Sequence, residues 1–310
     1  MDKKRKPITR LTAFFKAFPN ESSCEDYLFN LIYPNGFICP KCGHTHFGRI
    51  KGRRELQCRA CRHQRSLTAG TMMESTKLPL QKWFLAIFLL THDKRGYSAL
   101  ALSHELDVQW RTADYLLQRI RATMAQRVIP NVLGGTIEID DAYIGSKSTT
   151  QGRGTEKTPF IVAVEKSKGG EAALRVTTSI KGDDYKRFAR DHVSRSTIIK
   201  SDGSTSIKAG LASYAGLDAT KFDSSDDERS LPTVHHLISN FKSMIKGTYH
   251  GVHKKFLQSY MDEYTYRYNN RRNIDVFHTL LSDICFVGKY SKVLLLEFFK
   301  PQVLEQSKAA

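Results

Sequence analysis

Four cysteines and a few acidic residues have the types and the spacing to do chemistry. Cys39-Pro-Lys-Cys42 and Cys58-Arg-Ala-Cys61 are Cys-x-x-Cys pairs separated by fifteen residues, a zinc-ribbon spacing. Each pair on a tight turn aims two thiolates at one point, and four thiolates close a tetrahedral zinc site with no position left for water. A zinc held by Cys39, Cys42, Cys58 and Cys61 is therefore structural: it holds a small fold and leaves reactions to other residues. Two disulfides are the competing use of the same cysteines. Cys24 and Cys285 have no evident partners.

The acidic residues suggest a reaction. Alternate residues of a strand face opposite sides. In Thr136-Ile-Glu-Ile-Asp-Asp141 this puts Ile137, Ile139 and Asp141 on one face and Glu138 and Asp140 on the other. Asp202 stands where the apolar run from Ile198 breaks at Gly203, the kind of strand end where sheet proteins collect functional groups. Either aspartate alone is more often a turn or cap residue. Together they suit phosphoryl transfer, in which two divalent ions activate the attacking oxygen and stabilise the leaving one. Oxygen ligands favour Mg²⁺, or Mn²⁺ in its place. Residue type leaves three choices for a third ligand: the run Asp226-Asp227-Glu228, Asn240, and Glu263. No Ser-His-Asp or Cys-His arrangement calls for a side-chain nucleophile.

These residues need elements to position them. Residues 1–72 are basic, cysteine-bearing and turn-rich, with Lys51, Arg53 and Arg54 on a hairpin between the cysteine pairs. From 73 to 130 the pattern is helical. Trp83, Ile87 and Leu90 recur at helical spacing, Ser98 is placed to cap a helix over 99–106, and a longer helix follows from Trp110. A short helix, a tight turn and a basic second helix make a helix-turn-helix unit. Gln109, Arg111, Thr112 and Arg119 are then the residues to meet DNA. From 131 to 300 the period changes: strands over 136–144, 160–165, 174–180 and 197–200, a helix over 184–193, then helices from His235 to Tyr268. This is a mixed α/β domain. Phe256, Tyr260, Tyr264 and Tyr268 form a stripe read first as core and only second as a nucleotide-stacking surface. The tail over 301–310 reads as frayed.

The bulk numbers narrow the partners. The 310 residues carry 48 Lys and Arg against 31 Asp and Glu, a formal charge of +17 spread along the chain. Such a surface attracts polyanions, nucleic acid above all, because each phosphate contact releases counterions. The 40% hydrophobic content supports a real core. The longest apolar run, Trp83 to Leu90, is too short to cross a bilayer, and the basic N-terminus lacks a secretory pattern. Paired cysteines without such a signal favour metal in a reducing, intracellular compartment.

The sequence resembles a known family at three blocks. Thr136-Ile-Glu-Ile-Asp-Asp-Ala-Tyr-Ile-Gly145 is similar to the first-aspartate motif of the IS1595-type (ISXO2-like) insertion-sequence transposases, and Ser201-Asp-Gly203 to the second. The stretch from Val234 to Asn240, continued through Gly247-Thr-Tyr-His-Gly251 and Tyr266-Arg-Tyr-Asn269, resembles the third. The resemblance covers about residues 20–275 and includes the zinc ribbon and the helix-turn-helix. It implies an RNase H-like catalytic domain that cuts and joins DNA with Mg²⁺. Asp140 and Asp202 would be metal ligands, with Asn240 in the third position and Glu138 and His235 in support. Asn240 departs from the usual glutamate, since an amide oxygen coordinates but brings no charge. The implied partners are terminal inverted repeats, target DNA and at least a second copy of the chain, in a bacterial cytoplasm at the nucleoid. A regulator with an inactive catalytic domain and an RNase H-like nuclease are the rival functions.

Overall fold

The structure is a computed structural model describing residues 6–50, 52–128, 132–145, 156–220 and 231–288. Along the chain run helices α1 (Leu11–Ala17) and α2 (Glu21–Ile32), then strands β1 (Phe47–Arg49), β2 (Glu55–Cys58) and β3 (Gln64–Ser66). Helices α3 (Leu80–His92), α4 (Ala99–Leu106) and α5 (Trp110–Val128) come next. After them come β4 (Thr136–Ile144), β5 (Thr158–Glu165), β6 (Ala172–Val176), α6 (Gly182–His192) and β7 (Ile198–Asp202). The chain continues through α7 (Thr205–Leu211), β8 (Gly216–Thr220), α8 (Pro232–Gly247), α9 (Leu257–Asn269) and α10 (Val276–Phe286). Contacts gather the described residues into two units, 6–123 with 273–288, and 124–272.

The first unit is built on phenylalanines. Phe84 and Phe88, one turn apart on α3, meet Phe14 and Phe18 from the α1 segment and Phe277 from α10. Ring centroids lie 5.0 Å apart for Phe18–Phe84, 5.2 Å for Phe14–Phe88 and 6.4 Å for Phe88–Phe277. Tilted and edge-to-face pairs of this kind add about 0.5–1.5 kcal/mol each beyond the area they bury. Residues 273–286 therefore pack with this unit, whereas the sequence boundaries put them in the α/β domain. The reading of residues 1–72 as turn-rich is also corrected, because two helices precede the ribbon. Asn20 and Ser23 form a reciprocal capping box that starts α2, a signal easily taken for a loop. Glu21 then uses its carboxylate to accept the first two N–H groups of α3, from Leu80 at 2.8 Å and Gln81 at 3.1 Å. An anion at that end satisfies orphan donors and opposes the helix dipole.

Strands β1, β2 and β3 form a small antiparallel sheet in which Leu56 and Cys58 of β2 are buried. Beyond it, Ser98 caps α4 by accepting from Ala101 N–H at 3.1 Å. Asp107 closes α4 in the left-handed region at φ 48°, and the Gln109 carbonyl receives the first bonds of α5.

The second unit is a five-stranded mixed sheet in the order β6-β5-β4-β7-β8. β4, β5 and β6 run as an antiparallel meander, while β7 and β8 lie parallel to β4. One face buries Ile137, Ile139 and Ile199 with Tyr185 and Phe188 of α6 and Ile207 of α7. The other buries Phe160, Val162 and Leu174 with Phe241 of α8 and Met261 of α9. α6 and α7 pack so closely that a Cβ on Gly210 would stand 2.3 Å from the Gly182 carbonyl oxygen. At the sheet edge, Gln258 and Asn269 of α9 bond the β6 backbone. The Gln258 carbonyl accepts from Val176 N–H at 2.9 Å and that of Asn269 from Ala172 N–H at 2.8 Å. Side-chain amides thus occupy an edge that would otherwise invite another strand. The tyrosine stripe belongs here too: Tyr260, Tyr264 and Tyr268 are partly buried against the α8–α9 core, and the Tyr264 hydroxyl bonds the Leu237 carbonyl at 3.3 Å.

Candidate functional site

The cysteine site is geometrically complete. All four Sγ atoms lie within 4.8 Å of one another, with Cys39–Cys61 and Cys42–Cys58 each at 3.6 Å. A disulfide needs about 2.05 Å, so these are thiols. Four thiolates about 2.3 Å from a tetrahedral Zn²⁺ stand roughly 3.8 Å apart, which the observed spacing fits. The register Phe47↔Cys58 ties the second knuckle to the small sheet.

The carboxylate site is built by strand register. β4 and β7 pair in parallel as Thr136↔Ile198, Ile137↔Ile199 and Glu138↔Lys200. The pairing ends there; carried on by two residues, its register points Asp202 toward Asp140, and both carboxylates act on His235. Side chains alternate across a strand, so with Ile137 and Ile199 buried on the α6–α7 face, Asp140 and Asp202 share the α8 face. The Asp140 carboxylate is held at both oxygens. Its Oδ1 accepts from Asp141 N–H at 2.8 Å, and its Oδ2 lies 3.2 Å from His235 Nε2. Asp202 Oδ1 accepts from Ser204 N–H at 3.1 Å.

Electrostatics mark the same cluster. The bond to Asp140 holds His235 above its ordinary range against the opposing effect of burial, with Glu138 and Asp202 adding to the field. Lys242 is pushed down by burial and by Lys157, partly offset by Asp140. His235 and Lys242 are seven residues apart on α8, and at about 100° per residue they share one side of the helix. Asp141 belongs to the opposite face, as its position in the alternation requires. It accepts a bond from the buried Tyr185 hydroxyl, whose ionisation burial and Asp141 make harder.

The remaining acidic candidates separate. Glu138 is completely buried and anchors α8: its carboxylate accepts from Val234 N–H at 2.9 Å and Thr233 hydroxyl at 3.3 Å and meets Lys166 Nζ at 3.4 Å. Glu263 is buried with the Tyr249 hydroxyl at 2.9 Å and Arg267 at 3.3 Å, a structural pairing. Asp226, Asp227 and Glu228 lie outside the described residues. Asn240 is exposed and stands five residues beyond His235, about 140° round the helix. That is the far edge of the buried stripe formed by Val234, Ile238, Phe241 and Ile245. The geometry brings His235, and not Asn240, to Asp140. Sequence reasoning missed Lys242, although its seven-residue spacing from His235 was available as a signal.

At the helical pair in the first unit, Gln109 and Arg111 are exposed and Thr112 is half-buried. Arg119 departs from expectation. It is buried, its guanidinium donates to the carbonyls of Met72 at 2.8 Å and Glu74 at 3.0 Å, and it lies over the Tyr115 ring. These bonds turn the charge inward, so Arg119 fixes α5 to the preceding segment and is not presented to a groove.

Comparison with known proteins agrees with this layout. Residues 132–269 match the ISXO2-like transposase domain and residues 19–64 match a transposase zinc-ribbon domain, both of IS1595 type. The chain is also 31% identical over 175 residues to an uncharacterized protein in transposable element ISH50 of Halobacterium salinarum. That match covers 50% of this chain and 58% of the relative's length. Among the described residues no helix is long and apolar enough to cross a membrane.

Proposed function

The chain belongs to the IS1595 (ISXO2-like) transposase family, and we propose that it is a transposase that cuts DNA at element ends and joins the freed ends to target DNA. The carrying observation is that Asp140 and Asp202, on the neighbouring parallel strands β4 and β7, both act on His235, whose Nε2 lies 3.2 Å from Asp140. An RNase H-like reading of the second unit is supported by its mixed sheet, helices on both faces and acidic residues on two central strands.

Carboxylate oxygens from two strands suit Mg²⁺ or Mn²⁺, with Asp140 and Asp202 as the holding residues and His235 bonded to Asp140 beside them. When bound, two such ions would activate the attacking oxygen and stabilise the leaving one. The chain's own residues do the positioning. The Asp141 amide and His235 fix the Asp140 carboxylate from both sides, and Glu138 fixes the helix that carries His235. Lys242 supplies a cation beside the carboxylates for a phosphate oxygen. The zinc ribbon and the α4–α5 pair, with Gln109, Arg111 and Thr112 exposed or half-exposed, are the parts we assign to holding the terminal inverted repeats. Pairing two element ends calls for at least two copies of the chain.

The test is purified protein with Mg²⁺ or Mn²⁺ and labelled duplexes cut from the DNA flanking the gene. Nicking at the element end followed by joining is expected, and Asp140→Ala should abolish both steps while leaving binding intact. Binding without any nicking would make the chain a regulator. Cleavage that never proceeds to joining would make it a nuclease.

A further inference from the structure

Beyond the carboxylates, the same side of α8 continues as a row of cations. Counting from His235 at about 100° and 1.5 Å per residue, Lys242 and Lys246 stay within about 20° of its direction, about 10 and 16 Å along the axis. The helix then ends in a fixed turn. Thr248 N–H bonds the Met244 carbonyl at 3.0 Å and Gly251 N–H reaches back to the Ile245 carbonyl at 3.2 Å. That bond reaches six positions back and ties the loop onto the last turn of α8. The turn needs left-handed backbone at His250, φ 54°, and Gly251, φ 108°. His253 then caps a short 3-10 turn by accepting from Lys255 N–H. The result presents His250, His253, Lys254 and Lys255, all exposed.

No acidic residue occurs between Glu228 and Asp262. The next two, Asp262 and Glu263, are 2% and 0% exposed and are committed to Arg175 and Arg267. Lys246, Lys254 and Lys255 have no ion pair among the described residues, and Lys255 lies over the Phe256 ring at 4.7 Å. Desolvated pairing therefore explains none of these charges, and the row formed by Lys242 and Lys246 along α8 starts at His235 beside Asp140.

We propose that Lys242, Lys246 and the loop from His250 to Lys255 form a track for one backbone of duplex DNA, running outward from Asp140 and Asp202. It rests on the DNA-processing reading of this unit and names the surface that holds the flank of the cleaved strand. One strand of B-DNA carries a phosphate about every 3.4 Å of axis, so the roughly 16 Å from His235 to Lys246 spans about five phosphates. The lysines would make the contacts, and the bonded turn holds the loop in shape before DNA arrives, which limits the ordering cost.

The experiment is a salt titration of full-length protein on a labelled mixed-sequence duplex of about thirty base pairs. Lys246→Gln/Lys254→Gln/Lys255→Gln is compared with Lys186→Gln/Arg187→Gln/Lys208→Gln, which removes equal charge from exposed positions on α6 and α7. Each lost phosphate contact lowers the slope of log affinity against log salt by about 0.9. The track variant should lose about 2 to 3 from that slope, and the control should keep the wild-type slope. An unchanged slope in the track variant overturns the proposal, as does an equal loss in the control. A change in oligomeric state of the track variant by size-exclusion chromatography would also overturn it, making the loop a contact between copies. Because the readout is binding alone, its failure is distinct from a failure of Asp140→Ala to stop cleavage.

Discussion

Glu138→Gln isolates the group that holds α8 to β4. The substitution keeps the side chain's shape and removes its charge. Glu138 is completely buried, and its carboxylate takes the Val234 N–H at 2.9 Å, in the first turn of α8. A hydrogen bond to a charged group is worth about 1.5–3 kcal/mol net and a neutral one about 1. The helix-end charge interaction adds about 0.3–1 kcal/mol, more when buried. Lys166 is 37% exposed on its side chain and regains water, so losing its partner adds well under 1 kcal/mol. The balance is a loss of about 2 kcal/mol. Urea denaturation should show a lower midpoint at unchanged slope. An NMR titration should show His235 falling back toward its ordinary range as the first turn of α8 loosens from Asp140. Stability within about 0.5 kcal/mol of wild type, or a His235 titration that does not move, would refute the anchoring role.

Other perturbations probe separate parts of the molecule. Asp262 is buried beside Arg175 and Gln258, and burial pushes its carboxyl up to about 6 from 3.8. A raised acid binds its proton more tightly when folded, so its contribution is full below about pH 4 and lost as pH rises through 6. At about 1.4 kcal/mol per unit this is a decline of roughly 3 kcal/mol, and Asp262→Asn should flatten stability between pH 4 and 7. Gly210→Ala should cost about 1–3 kcal/mol by overpacking α7 against α6, measured by thermal melting, although an exposed helical glycine would gain from the same change. Cys58→Ser, or chelation of zinc, should melt the ribbon and weaken binding of element ends, read by circular dichroism and gel shift. The isolated second unit's spectrum is the part that should persist within the difference.

Much of the fold was legible because local signals agreed with tertiary demand. The β4 alternation survives because its isoleucines are buried on one face, and α4 carries its own cap at Ser98. The cysteine spacing works in the same way, since a tetrahedral site admits few loop lengths. β8, by contrast, is a short edge strand, Gly216-Leu-Asp-Ala-Thr, whose place comes from pairing with β7 and leaves little periodic trace. α10 reads as an apolar helix in any setting, and long-range partners, the phenylalanines around α1 and α3 with Tyr27 and Met72, decide which unit it joins. The candidate site divides the same way. Asp140 and Asp202 follow from strand pattern, but which carboxylate is exposed depends on α8 seating its N-terminus on Glu138. Residue type left the third ligand open and the family resemblance put Asn240 there, whereas the phase of α8 brings His235 to Asp140 with Lys242 on the same side. Arg119 looked like a DNA contact on charge alone, and the carbonyls of Met72 and Glu74 claim it.

The central claim is tested most directly by cleavage of labelled element-end DNA in Mg²⁺ or Mn²⁺ by His235→Ala and Asn240→Ala proteins side by side. The account predicts that His235→Ala loses cleavage while still binding DNA, and that Asn240→Ala cleaves at close to the wild-type rate. Cleavage that survives His235→Ala but disappears with Asn240→Ala would contradict it.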